Sequence, residues 1–197
     1  RLVRTYQHGQ KGKKPVVRRG AVYYERGILA SHLGQDRMEV LRDFREAVLL
    51  DPSRVDLIAR FAEELYLAQF KTTDSSGDSV SESEVYLKFV VESDRNHIRA
   101  NYYLGRIRLR QWDKQRPSVP GNALHNAARV HLERVVSKDQ GKQFPVAYKE
   151  LADVYKERKM NRLARRYYQE YLLAYQRVKG TVPDDERYVR NLLRELN

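Results

Sequence analysis

Apolar residues recur along this chain every three or four positions, in bursts separated by polar, Gly- or Pro-bearing stretches. That period is the signature of amphipathic helices rather than strands. Tyr23, Gly27, Ala30 and Leu33 make one face of a helix starting near Ala21, and Gly34 is placed to end it. Val40, Leu41, Phe44, Ala47 and Val48 share one side of a second helix. Asp51-Pro52 closes it, because proline lacks the N–H that the next turn needs. Ser53 and Asp56 read as a capping box for a third helix carrying Ile58, Phe61, Ala62, Leu65 and Phe70. Residues 71–80 break the pattern as a polar loop, and Ser81 with Glu84 caps the helix that continues over Val85, Leu87 and Val90. Ile98, Tyr102, Leu104, Gly105 and Leu109 give the next helix, followed by a polar break over 112–121 and a cap at Asn122. Leu124, Ala128, Leu132, Val135 and Val136 then point inward, before a second loop over 137–144. Pro145 suits a first helical position. Tyr148, Leu151, Ala152 and Tyr155 mark one more helix, and Leu163, Ala164, Tyr168, Tyr171 and Leu172 its partner. After Gly180 and Pro183, Tyr188, Val189, Leu192, Leu193 and Leu196 predict a final amphipathic helix.

The helices come in pairs, and a small residue recurs on the first of each pair: Gly27, Ala62, Gly105 and Ala152, spaced 35, 43 and 47 apart. Each spacing exceeds 34 by 1, 9 or 13 residues, and each excess falls in a polar interruption. A small residue at a helix crossing lets two backbones approach, and a large neighbour fills the gap.

Tyr23, Gly27, Phe44, Ala47 and Pro52, then Leu104 and Gly105, then Tyr148, Leu151, Ala152, Tyr155, Ala164 and Tyr168, together resemble the tetratricopeptide-repeat (TPR) pattern, with Phe61, Ala62 and Leu65 a weaker match. The resemblance implies an all-α, right-handed α-solenoid of about four TPR-like helix hairpins plus a C-terminal capping helix. The repeats would run over 21–53, 54–96, 97–140 and 145–180, after a basic extended segment over 1–20 and before a cap over 184–197 that covers the last apolar flank. It also implies a concave groove, lined by the first helices, that holds a partner segment. Carried over position by position, the groove would present Tyr24, Ile28 and His32, then Ala59, Glu63 and Tyr66. It continues with Arg99, Tyr102, Arg106 and Arg110, and ends with Lys149, Asp153 and Lys156. One subset of the family grips a partner's C-terminal carboxylate with Lys and Asn on its first helices. Tyr24, Ile28, Glu63 and Tyr102 depart from that pattern and only Arg106 fits, so chaperone-tail capture is not expected.

Charge narrows the partner. The net charge is +12, and Arg1 to Gly20 alone holds seven basic residues and no acid. Residues 95–116 add seven basic residues against Asp113, whereas 72–94 hold six acids against Lys88. Arg99, Arg106 and Arg110 share a helix face with Tyr102. They read either as a docking strip for an acidic or amphipathic protein segment or as a solvated basic face, with Arg108 lying off the strip. Lys156, Arg158, Lys159, Arg162, Arg165 and Arg166 form the densest basic cluster and raise RNA or DNA as the second partner class. Most tyrosines fall at core spacing (Tyr23, Tyr148, Tyr155 and Tyr168 among them) rather than as stacking platforms.

Chemistry is sparse. There is no cysteine, hence neither a disulfide framework nor a thiolate metal site. His125 and His131 are six apart, on different helix faces, and the other histidines are isolated, so no metal or cofactor is expected. The adjacent acids Glu63-Glu64 diverge on a helix and do not read as an acid/base pair, and no phosphate-cradling or nucleophile motif occurs. The expectation is a non-enzymatic scaffold or assembly module. The opening Arg1 suggests a fragment, and both the cytoplasm and a bacterial periplasm or envelope, in a motility or secretion complex, stay open. The N-terminal segment is either a linker or a strap into a groove that supports oligomerisation.

Overall fold

The computed structural model describes residues 19–69, 81–115 and 123–196. Among them run nine helices and no strand: α1 (Arg19–His32), α2 (Arg37–Leu50), α3 (Val55–Gln69), α4 (Glu82–Ser93), α5 (Ile98–Gln115), α6 (Ala123–Asp139), α7 (Val146–Glu157), α8 (Asn161–Lys179) and α9 (Glu186–Glu195). The chain divides into two compact units, 1–86 and 87–197. The loop expected over 71–80, Phe70, the cap at Asn122 and the basic segment up to Arg18 lie outside the described residues.

In the first unit, α1 and α2 form an antiparallel hairpin. Gly34 turns the chain in the left-handed region at φ 67°, and the Gln35 N–H returns to the Ala30 carbonyl at 3.0 Å. Asp36 caps α2 by accepting from the Met38 and Glu39 N–H groups at 2.8 and 3.3 Å. The crossing is close because Gly27 has no side chain: a Cβ there would meet the Phe44 ring at 3.2 Å. Phe44, Phe61, Leu41 and Leu65 form the core on which α3 packs.

Several expectations change here. Helix α1 begins at Arg19, so Gly20 belongs to the helix rather than to an extended arm. Leu33, expected inward, is 65% exposed, because the buried face follows Gly20, Gly27 and Ala30. Ser53 does not cap α3. Its hydroxyl donates back to Asp51, and the helix starts at Val55. Ser81 does accept from the Glu84 N–H, at 3.3 Å.

In the second unit, α5 and α6 cross where Gly105 faces Leu132, and a Cβ at Gly105 would lie 3.0 Å from Leu132 Cγ. Helix α5 continues past the break expected to start at Trp112 as far as Gln115, where Trp112 stacks on His125 of α6 with ring centroids 4.6 Å apart; the rest of that break, 116–121, lies outside the described residues. Helix α6 extends to Asp139, past the expected loop start at Ser137. The buried Asp139 carboxylate accepts from the Gln143 and Phe144 N–H groups at 3.0 and 2.8 Å, which fixes the turn into α7. Gln140 and Gly141 both take positive φ in that turn. Helices α7 and α8 pair through tyrosines, with Tyr155 stacked on Tyr167 at 5.5 Å. Helix α9 packs on α8 and buries Val189 and Leu192. Tyr188, expected in that stripe, is 54% exposed.

Candidate functional site

The expected groove positions are described unit by unit. In the first, Tyr24 meets the edge of Phe44 with centroids 5.8 Å apart, and the Arg54 guanidinium lies 5.4 Å from the Tyr24 ring centroid. Ile28 packs against the same core, His32 is exposed, and Ala59 and Tyr66 are buried. Glu63 and Glu64, which read as adjacent acids diverging on a helix, sit in one ion-pair network. Both are buried, and Arg60 draws them together, bonding Glu63 at 2.6 Å and Glu64 at 2.9 Å. Ser31 of α1 completes the network by donating to Glu64 at 2.9 Å. One guanidinium and a hydroxyl help to satisfy these two buried carboxylates.

The second unit carries the fuller arrangement. Phe144, just ahead of α7, stacks on Tyr102 of α5 at 4.2 Å. The Arg99 guanidinium lies 5.8 Å from the Phe144 ring centroid, and that of Arg106 lies 5.7 Å from the Tyr102 ring centroid. Arg106 Nε then reaches Glu150 Oε1 of α7 at 3.0 Å. Arg99, Phe144, Tyr102, Arg106 and Glu150 therefore form one ladder from α5 to α7. Tyr102 is buried, whereas the Arg106 side chain keeps 39% of its surface exposed. Arg110 and Lys156 are half-buried, and so is Arg108, which had been expected in solvent and bonds Gln111 at 2.6 Å. Lys149 pairs with Asp185, which also accepts from the Tyr171 hydroxyl at 2.9 Å, and Asp153 accepts from the Tyr168 hydroxyl.

The electrostatics follow from this packing. Burial pushes the Glu150 carboxyl from its ordinary 4.5 up to about 7, against the pull of Arg106, while nearby Asp153 adds to the rise. Its second oxygen is buried without a hydrogen-bond partner. Burial also raises Asp153, although the Tyr168 hydrogen bond opposes it. Burial is the largest influence on both Lys149 and Asp185 and acts against their charges, but their mutual hydrogen bond and attraction, joined by Asp153 beside Lys149 and the Tyr171 hydroxyl on Asp185, together outweigh it, so Lys149 is raised and Asp185 lowered.

Sequence reasoning passed over Glu150, Phe144 and the His131–Asn101 pair. Asn101 Nδ2 donates to the Arg95 and His97 carbonyls at 3.0 and 2.9 Å, which leaves Oδ1 to accept from His131 Nδ1 at 2.9 Å. Burial, with Arg134 and Arg108 nearby, pulls His131 down to about 4. An apolar residue just before a helix, as Phe144 is before Pro145, was the one available signal. Among the described residues no three metal-ligating side chains gather, and no helix is long and apolar enough to cross a membrane.

No family model and no curated protein matches the sequence. Solved structures do. TTC0263, a thermophilic TPR protein of Thermus thermophilus, superposes with a TM-score of 0.60 over 90% of this chain and 80% of that one, at 13% identity. MamA from Desulfovibrio magneticus RS-1 gives 0.57 over 90% and 93% at 15% identity. The chain has the tetratricopeptide-repeat fold. The pilF protein of Pseudomonas aeruginosa adds a further match in fold, at 0.55 over 90% and 76% with 14% identity. The all-α, right-handed solenoid class that the TPR resemblance implied is thus the class of its structural neighbours.

Proposed function

We propose that this TPR chain is a non-enzymatic protein-interaction module that takes an acidic or amphipathic partner segment on the α5–α7 face of the second unit. The supporting observation is the ladder ending in Arg106 and Glu150. The Arg106 guanidinium is held in place by a ring and a carboxylate, yet stays partly exposed. A fork of donors held before binding loses little side-chain freedom when a partner carboxylate arrives. That carboxylate exchanges with Glu150, which accepts a proton in place of its cation. Arg99 and Lys149 flank the exchange and set the sign of the face, and Tyr102 and Phe144 keep it rigid.

The test is fluorescence anisotropy with a labelled acidic amphipathic peptide. Arg106→Glu should weaken binding by on the order of tenfold or more, whereas Arg162→Glu on the exposed side of α8 should leave it alone. Equal affinity of wild type and Arg106→Glu refutes the assignment. Lys159, Arg162, Arg165 and Arg166 are exposed together around the α7–α8 turn. A salt-dependent shift of single-stranded RNA, lost in Arg162→Glu/Arg165→Glu, would favour nucleic acid instead.

A further inference from the structure

Helix α1 carries an exposed apolar stripe on the side facing away from α3. Tyr24, Ile28 and Ser31 occupy the α3 side through Arg54, the core and Glu64. Val22, Leu29 and Leu33 lie on the opposite side with Arg26 among them, and they are 42, 58 and 65% exposed. The bond from Arg26 to the buried Asp43 ties this stripe to one face of α2. Glu39, Asp43, Glu46 and Leu50 share that face at helical spacing, and Glu39 acts electrostatically on Arg26. Leu50 sits beside Gly20, at the start of α1. The result is a continuous surface of four aliphatic side chains with the carboxylates of Glu39 and Glu46, where Arg26 covers the buried Asp43 and Arg19 stands at the rim. Aliphatic groups aligned this way usually meet a partner, and in the second unit α9 serves α8 in that role.

We propose that residues 1–18 of this same chain cover the outer face of the α1–α2 hairpin. Two observations select that occupant. The segment joins the face at its rim, since Arg19 opens α1 next to Leu50. Helix α1 is about 21 Å long, whereas 18 extended residues reach up to about 60 Å, so the whole face lies within range. Its chemistry is also the complement: Arg1, Arg4, Lys11, Lys13, Lys14 and Arg18 without an acid, interspersed with Leu2, Val3, Tyr6, Val16 and Val17. The cations answer Glu39 and Glu46, and the apolar residues answer Val22, Leu29, Leu33 and Leu50.

The absence of cysteine from the chain makes a clean test possible. In the full chain, Val3→Cys is paired either with Leu29→Cys on the face or with Leu49→Cys, an exposed position of α2 on another side. Under mild oxidation the Leu29 pair should close an intrachain disulfide on the order of tenfold faster. Equal rates, or a bond formed only between chains, overturn the proposal. Independently, Leu29→Glu/Leu33→Glu should speed tryptic cleavage at Arg4, Lys11 and Lys13 by on the order of tenfold with the helical circular dichroism intact. Unchanged cleavage refutes it. If the same variant instead dissociates a dimer while cleavage stays constant, the face belongs to a second copy and the proposal fails.

Discussion

The crossing of α5 and α6 makes the packing argument quantitative. A Cβ on Gly105 would sit 3.0 Å from Leu132 Cγ and 3.1 Å from Cδ2, where the optimum for two carbons is about 3.5–4.0 Å. Gly105→Ala gains about 1 kcal/mol of helix propensity and loses about 1–3 kcal/mol to overpacking, so it should lie between neutral and about 2 kcal/mol destabilising. Gly105→Leu forces three more carbons into the same gap and should reach the upper end, about 3 kcal/mol, or a fall of roughly 6–12 °C in Tm. Leu132 is fully buried, so Leu132→Ala alone should cost about 2–5 kcal/mol by leaving a cavity. In the double variant the introduced leucine side chain enters that cavity, and the combined cost should fall short of the sum by about 1–3 kcal/mol. Urea titrations of the four proteins followed by far-UV circular dichroism give the cycle. Costs that add to within about 0.5 kcal/mol, or a Gly105→Leu protein with unchanged stability, would refute direct packing of these two residues.

Two buried groups should oppose each other in the pH dependence of stability. Glu150 is raised from 4.5 to about 7, so its contribution is present below pH 4.5 and is lost as pH rises through 7. His131 is lowered from 6.5 to about 4, so its contribution is present above pH 6.5 and is lost as pH falls through 4. Each is worth at most about 3 kcal/mol, and urea midpoints between pH 4 and 8 should be nearly flat through these groups in the wild type. His131→Gln should unmask a fall in stability with pH and Glu150→Gln a rise; parallel profiles would contradict both. Peptide binding at Arg106 should strengthen from pH 8 to pH 6, since Glu150 takes up a proton when its cation is diverted, and Glu150→Gln should flatten that trend in the anisotropy assay. Asp139→Ala strips two turn N–H groups of their acceptor and should cost about 1–3 kcal/mol on thermal melting, with Asp139→Asn costing less.

The hairpins were legible because their signal is local. Gly27, Gly105 and Ala152 each needed a large neighbour, and a period of three to four residues shows in any short window. Helix ends were less legible. Trp112 looked like a break until its stack on His125 provided a reason for α5 to continue, and such a partner twelve or more residues away leaves no mark in a periodicity. The candidate site suffered most. Arg99, Tyr102 and Arg106 could be grouped by spacing, but their engagement depends on Phe144 and Glu150, which arrive from another hairpin. The network around Glu63 and Glu64 was hidden for the same reason: backbone geometry separates adjacent side chains, while Arg60 bonds both and Ser31 reaches Glu64 from another helix.

The link from Lys149 through Asp185 to the Tyr171 hydroxyl joins α7, α8 and the N-cap of α9. Lys149 and Asp185 are only partly shielded from water, and α9 adds just two buried aliphatic side chains. The terminal helix is thus held by a clasp that counter-ions can loosen, so its amide protons should exchange faster in concentrated salt than those of α7 beneath it.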